Sequence, residues 1–203
     1  EKYHPDGFAD NSWAGPGDRT ICYCQNCQNK YWEKYHSKLP HKVDWNDSNY
    51  RQWIRWNYDI RLDNWNYFNK VTQEYGGSNC LWFGMINGNP FQTGGRFYDI
   101  RRLIENAKFI FSDHQSRDRN SGFEQNLISG NLLHMVSDEN IIIAESMAHY
   151  YKGMKTFRLS SGETQEIRKW LLCGISGGIS PWYHFVGGRV LDSRKLTAST
   201  DVF

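Results

Sequence analysis

The chain has 203 residues, enough for one domain with a substantial hydrophobic core. Its 24 basic and 22 acidic residues give a formal net charge of +2, without the basic cluster typical of a nucleic-acid or membrane-surface protein. We therefore expect no nucleic-acid partner. No apolar run approaches the roughly 20 residues of a membrane span, so we also expect no membrane span. Nine Trp, 12 Tyr and 11 Phe favour a small neutral ligand, since aromatic faces suit pyranose rings.

Short apolar runs alternate along the chain with longer amphipathic stretches. The short runs are rich in β-branched and aromatic residues and end in polar residues or glycine, which predicts buried strands. They cover residues 7–10, 80–88, 108–115, 140–146 and 177–185. The longer stretches have helical spacing. They cover residues 24–36, 47–75, 97–107, 123–136 and 162–175.

This alternation predicts an α/β fold with a parallel sheet and helical crossovers. An eight-stranded TIM barrel needs about 250 residues, so five units fit its C-terminal part, about strands 4 to 8. We therefore expect residues 1–203 to be a partial TIM-barrel catalytic domain, with Glu1 an internal cut point and the N-terminal units missing from this chain. An open sheet would expose two edges, so an upstream segment or a partner chain is expected to complete the barrel. A homo-oligomer is one such arrangement.

Titratable and polar residues follow the predicted strands, where the active sites of β/α barrels lie. Two carboxylates facing one pocket are what glycoside hydrolysis needs, one as acid and the other as nucleophile or base. The strand-end residues are Asp10, Asn87, Asp113 with His114, Glu145, and Tyr183 with His184.

Each of these acids also has a structural interpretation. Asp10 begins a polar stretch with Asn11 and could simply start a turn. Glu145 follows an uncharged apolar run and could cap a helix or form a salt bridge. Asp113 precedes Arg117 and Arg119, so an ion-pair network is an equal alternative to catalysis.

Three of the five cysteines lie within six residues, with the spacing Cys-x-Cys-x-x-Cys. As thiolates, Cys22, Cys24 and Cys27 could supply three of the four ligands of a structural zinc ion, the fourth lying upstream of Glu1. Free reduced cysteines in a tight loop are the alternative. The other two cysteines, Cys80 and Cys173, are expected to be buried small hydrophobic residues. No organic cofactor is indicated.

Two stretches resemble known β/α-barrel glycoside hydrolases. The segment "CYCQNCQNKYWEKYHSKLP" resembles the region after the fourth barrel strand in the zinc-bearing β-galactosidases of clan A and in the family called hypothetical glycosyl hydrolase 6. The segment "IIIAESMAHYYKG" and the region from residue 162 resemble the last two barrel units of the latter family. The clan A resemblance implies an acid/base near Asp10 and a nucleophile at Glu145.

The strand-four motif departs from the β-galactosidases, which carry Asn-Glu where this chain has Asp10-Asn11. "DGFAD" is instead similar to the α-L-fucosidases, in which a strand-four Asp is the nucleophile. The resemblance therefore implies that Asp10 belongs to the site but leaves its role open.

The sequence thus predicts a glycoside hydrolase with a carboxylate pair, Asp10 and Glu145, and with Asp113 as an alternative second acid. A retaining mechanism on a galactoside- or fucoside-like oligosaccharide or glycoside follows from the resemblance. The alternatives are a carbohydrate-binding TIM-barrel protein that has lost catalysis and a zinc-stabilised interaction module. The predicted substrate-binding residues are Trp13, Trp82, Asn87, His114, Gln115, His149, Trp182, Tyr183 and His184.

Overall fold

The computed structural model describes residues 5–11, 13–87, 90–105, 107–113, 117–118, 122–137, 141–148, 151–152, 163–184 and 194–202. The chain divides into two compact units. The first comprises Glu1–Trp82 with Phe91–Asn106, and the second comprises Phe83–Pro90 with Ala107–Phe203. The single domain spanning residues 1–203 stays a prediction.

The first unit is built mainly from helices. A strand precedes two long helices, and a short 3₁₀ helix and a five-residue helix follow the next strand. These elements are β1 (Gly7–Asp10), α1 (Gln25–Tyr35), α2 (Ser48–Gly76), the start of β2 (Leu81–Asn87), the 3₁₀ helix Pro90–Arg96 and α3 (Ile100–Ile104).

The second unit alternates strands and helices. Its elements, after the remainder of β2, are β3 (Phe109–Asp113), β4 (Arg117–Asp118), α4 (Gln125–Val136), β5 (Ile142–Ala148), β6 (Tyr151–Lys152), α5 (Thr164–Ser176), β7 (Ser180–His184) and α6 (Arg194–Thr200). The short strands β4 and β6 pair with each other in parallel.

The main sheet has five strands in the order β1-β2-β3-β5-β7. The pairings of β2 with β3, β3 with β5, and β5 with β7 are parallel. The predicted mixed α/β fold with a parallel sheet is confirmed, and this strand order is compatible with part of a TIM-like barrel. Among the described residues, no helix combines the length and apolar character needed to cross a bilayer.

Aromatic side chains form the core of the first unit. Trp53 of α2 is 2% exposed there and stacks on Tyr50 at a centroid distance of 5.5 Å. Tyr31 of α1 is fully buried against the edge of Trp56. The helix α2 begins where the Asp47 side chain accepts a hydrogen bond from the backbone N–H of Asn49. Packing between α1 and α2 thus holds the long helix in place.

Asp59 of α2 links the three helices of the first unit. Its carboxylate lies 3.0 Å from Lys34 Nζ of α1 and 3.2 Å from Arg102 Nη2 of α3. Burial opposes ionisation of Asp59, but the hydrogen bonds from Lys34 and Arg102 outweigh it and lower the pKa of the carboxyl group. All three side chains are more than a third exposed, so solvent screens the pairs.

We expect Asp59→Asn to lower the free energy of unfolding by less than about 1 kcal/mol at neutral pH. A lowered folded-state pKa means that the stabilisation is complete above the unfolded-state pKa of about 3.9 and is lost as the pH falls through the folded value. Urea unfolding of both proteins across this acid range should show their stabilities converging. Asp63→Asn, at an exposed position of α2, is the matched control and should show no such convergence.

In the second unit, α4 packs closely on the connection between α5 and β7. A Cβ atom on Gly130 of α4 would lie 2.3 Å from the carbonyl oxygen of Gly177 and 2.8 Å from Cγ1 of Ile179. Trp170 of α5 donates its indole hydrogen bond to the buried Oδ1 of Asn126 in α4. Glycine at position 130 therefore permits a backbone approach that a side chain would block.

We predict that Gly130→Ala destabilises the protein by about 1–3 kcal/mol through overpacking. In an exposed helix the same change would stabilise by roughly 1 kcal/mol, because alanine has the higher helix propensity. Chemical denaturation of Gly130→Ala beside Asn131→Ala, its exposed neighbour on α4, measures the difference. Equal or greater stability of Gly130→Ala would show that α4 can move away.

Candidate functional site

The strand register of the second unit determines which side chains share a face. On β3 and β5, Ser112 aligns with Glu145, whereas Asp113 aligns with Ser146. On β7, Pro181 aligns with Glu145 and Trp182 with Ser146. Because successive side chains of a strand point to opposite faces, Asp113 and Trp182 share one face. Glu145 lies on the other.

The face that carries Glu145 is covered by a helix. Ile179, which directly precedes β7, contacts α4 at Gly130. Glu145 of β5 aligns with Pro181, two residues further along, so Ile143 and Glu145 lie on the same face as Ile179. Ile143 is 1% exposed and Glu145 is fully buried. Glu145 therefore emerges on the helix side of the sheet, and it does not share a face with Asp113.

The opposite face carries an open groove. Trp182 is 43% exposed there and packs on Phe111 at a centroid distance of 4.3 Å. The groove has a volume of about 520 Å³ and is mostly apolar. It is lined by Phe109, Ala144, Ser180, Pro181, Trp182 and Tyr183, with Ser199 of α6.

Asp113 is the carboxylate that the register places on the groove face. It is the last residue of β3 and is half-buried. Its Oδ1 atom is buried and has no hydrogen-bond partner within the described part of the chain. Since the Trp182 position lies two strands away, the two residues are separated by roughly 10 Å across the sheet. A carboxylate and an exposed aromatic ring thus flank one stretch of surface.

The other predicted acid, Asp10, is the last residue of β1 and belongs to the first unit. It is half-buried there. The structure thus confirms its strand-end position, while its catalytic role stays a prediction.

Trp13 and Trp82 lie in the core of the first unit and not on an open surface. They are 7% and 5% exposed, and their rings are 5.4 Å apart. Trp65 packs against both rings, and Phe68 stacks on Trp82 at 4.9 Å. Neither ring offers the open face that stacking on a sugar requires, so these two predicted substrate-binding residues stabilise the fold instead.

Of the remaining predicted binding residues, Trp182 and Tyr183 both line the groove. Alternation along β7 puts the Trp182 side chain on the groove face and the Tyr183 side chain on the face of Glu145. Asn87 ends β2 and His184 ends β7, so both occupy strand ends. Three predicted residues lie outside the described part of the chain: His114, Gln115 and His149.

The groove residues Phe109, Ala144 and Ser180 were not among the binding residues predicted from the sequence. Register places all three on the sheet face that carries Asp113 and Trp182. The apolar runs that contain Phe109 and Ala144 gave no alternation from which this face could be predicted.

The cysteine cluster forms a second candidate site, in the first unit. The Sγ atoms of Cys22, Cys24 and Cys27 all lie within 4.8 Å of one another. Cys24 is the N-cap residue of α1, and Cys27 lies in its first turn. A zinc ion with Zn–S distances of about 2.3 Å holds its sulfur ligands about 3.8 Å apart, so only a small contraction is required. The donor set fits three of the four positions of a tetrahedral site.

The three thiols differ in how readily they ionise. The backbone N–H of Cys27 and the side chains of Cys22 and Cys27 donate to Cys24 and lower its pKa. Burial raises the pKa of Cys27 to about 12, and the neighbouring cysteines act in the same direction. A bound cation would instead favour the thiolate form of Cys27, since thiolates are the zinc ligands. A metal bound here would pin the segment before α1 to that helix.

The two other cysteines of the chain are free. Cys80 is 3% exposed, which confirms its expected burial, and Cys173 of α5 is half-buried.

No protein-family model matches this sequence, and no curated protein matches it.

We expect the protein to bind zinc through this cluster with an affinity that rises with pH, because protons must leave the thiols. Cys27→Ser should abolish zinc retention after dialysis, measured by metal analysis, and should lower the thermal stability of the zinc-loaded protein. Cys173→Ser removes a thiol outside the cluster and serves as control. Equal zinc retention by the parent and Cys27→Ser would exclude the cluster as the metal site.

Proposed function

We propose that the protein is a glycoside hydrolase that binds a sugar in the groove beside Trp182. The observation that carries the proposal is the shared sheet face of Asp113 and Trp182. An exposed indole can stack on a pyranose ring, and a carboxylate about two strands away can reach an adjacent glycosidic bond. The parallel strand order supports the proposal as well, because β/α barrels place their chemistry at the carboxyl ends of strands.

In this proposal Asp113 acts on the scissile bond. As a carboxylic acid it would protonate the leaving oxygen, and as a carboxylate it would attack the anomeric carbon or activate water. Its half-buried position at a strand end suits either role. Hydrolysis needs a second carboxylate, and Asp10 enters the proposal through the family resemblance alone. A retaining mechanism on a galactoside- or fucoside-like substrate is proposed on the same ground.

Glu145 is the weaker candidate for direct catalysis. It is fully buried on the face that α4 covers, away from the face that carries Trp182. This burial favours a second candidate function, a sugar-binding barrel protein that does not hydrolyse its ligand. In that case Trp182 and Asp113 would hold the sugar, and Glu145 would be part of the interior.

The two functions differ in turnover. We expect the intact protein to release nitrophenol from at least one member of a panel of α- and β-linked nitrophenyl galactosides, fucosides and glucosides. Asp113→Asn and Asp10→Asn should each lower kcat by at least about 100-fold, as loss of a general acid or base does. Trp182→Ala should mainly raise KM, because it removes a binding surface.

Asp63→Asn and Trp45→Ala are the matched controls, since both positions are exposed on the first unit. Both should leave kcat and KM unchanged. A folded parent that cleaves no glycoside but binds sugars in a Trp182-dependent manner would establish the non-catalytic function. Full activity of Asp113→Asn would remove Asp113 from the mechanism.

A further inference from the structure

A second groove lies beside α1, within the first unit. It has a volume of about 400 Å³, and it is lined by the segment before α1, the first turns of that helix and the loop after it. Two of its aromatic side chains are open to solvent, Tyr23 at 47% and Trp32 at 52% exposure. Trp32 makes a T-shaped contact with His36 at a centroid distance of 6.2 Å. An indole ring is therefore presented at the groove.

Hydrogen bonds within the chain hold the walls of this groove. Gln28 Nε2 donates to the carbonyl oxygen of Tyr23 at 2.5 Å, which ties the segment before α1 to the helix. The Tyr23 hydroxyl donates to the carbonyl oxygen of Pro40 at 2.5 Å, which ties the same segment to the loop after the helix. The groove is thus largely formed before a ligand arrives, and this lowers the entropy cost of binding.

Three side-chain amides contribute to the polar lining of the groove. Gln25, Gln28 and Asn29 all line the groove, and Gln25 Nε2 donates to Asn29 Oδ1 at 2.7 Å. An amide offers a donor and an acceptor side by side, which matches the neighbouring hydroxyl groups of a sugar ring. None of the described residues that line the groove is a carboxylate, and its basic side chains are those of Lys38 and His41.

We propose that this groove binds a neutral saccharide unit, with the ring stacked on Trp32 and the hydroxyls held by Gln28 and Asn29. An exposed aromatic face beside side-chain amides is a combination that recognises a pyranose. The groove does not share residues with the one beside Trp182. The inference therefore stands independently of the proposed hydrolase activity and adds a second binding site.

Binding is tested on the intact protein with cellotetraose, maltotetraose, xylotetraose and galactobiose as probes, by saturation-transfer NMR and calorimetry. At least one probe should bind, and Trp32→Ala should weaken that binding by at least tenfold. Gln28→Leu replaces the amide by an apolar side chain and should weaken that binding as well. Trp45→Ala changes an indole that is 59% exposed and does not line the groove, and it should bind as the parent does.

Trp182→Ala distinguishes the two sites, because a loss of sugar binding at the groove beside Trp182 leaves the groove beside α1 intact. Binding that survives both Trp32→Ala and Gln28→Leu would overturn the inference, even if Trp182→Ala abolished it. Absence of binding by every probe would overturn it too. Glucuronic acid serves as an anionic comparison. If it bound and none of the neutral probes did, the inference would also be overturned, because the groove would then be a site for an anion. Thermal unfolding of each variant confirms that a loss of binding is not a loss of fold.

Discussion

Side-chain alternation along three parallel strands is the constraint on which the candidate site depends. Asp113 and Glu145 end on opposite faces because Asp113 aligns with Ser146 and not with Glu145. A shift of β5 by one residue relative to β3 would place Glu145 on the face of Asp113, but it would also move Ile143 out of the buried face. Burial of one such side chain contributes roughly 1.5–3 kcal/mol. The apolar residues at the strand centres therefore fix the register, and the polar strand ends take the faces that this register gives them.

Local periodicity predicted the five strands of the main sheet and four helices closely, whereas the helix predicted at residues 97–107 is observed only at Ile100–Ile104 and α6 was not predicted. The helix predicted at residues 47–75 is observed at Ser48–Gly76, since the Asp47 side chain caps its start and Gly77, with a φ of 98°, ends it. Local periodicity could not predict which face of the sheet carries Glu145. The preceding residues 141–144 are all apolar, so no alternation indicates which side of the strand meets the helices. That information lies in the contact between α4 and the residues just before β7, which are distant from each other in sequence.

The tryptophans show the same division between local and long-range information. Trp13 lies in a polar, glycine-containing stretch typical of an exposed loop, yet its ring is buried against Trp65 of α2. Trp32 follows Tyr31 directly on α1, and a rotation of about 100° per residue puts the tyrosine in the core and the indole in solvent. Sequence context thus separated strand from helix. It did not separate aromatic residues that fill the core from those that can meet a ligand.

The cysteine cluster and the groove beside α1 are built on one segment of chain. Tyr23 and Gln25 line the groove and alternate with Cys22 and Cys24 of the cluster. A metal that fixes the sulfur atoms would therefore also restrict the backbone that carries two groove residues. Ordering these residues before binding removes an entropy cost that the ligand would otherwise have to offset. A structural metal at this position would strengthen ligand binding by preorganising the wall of the groove, without contacting the ligand itself.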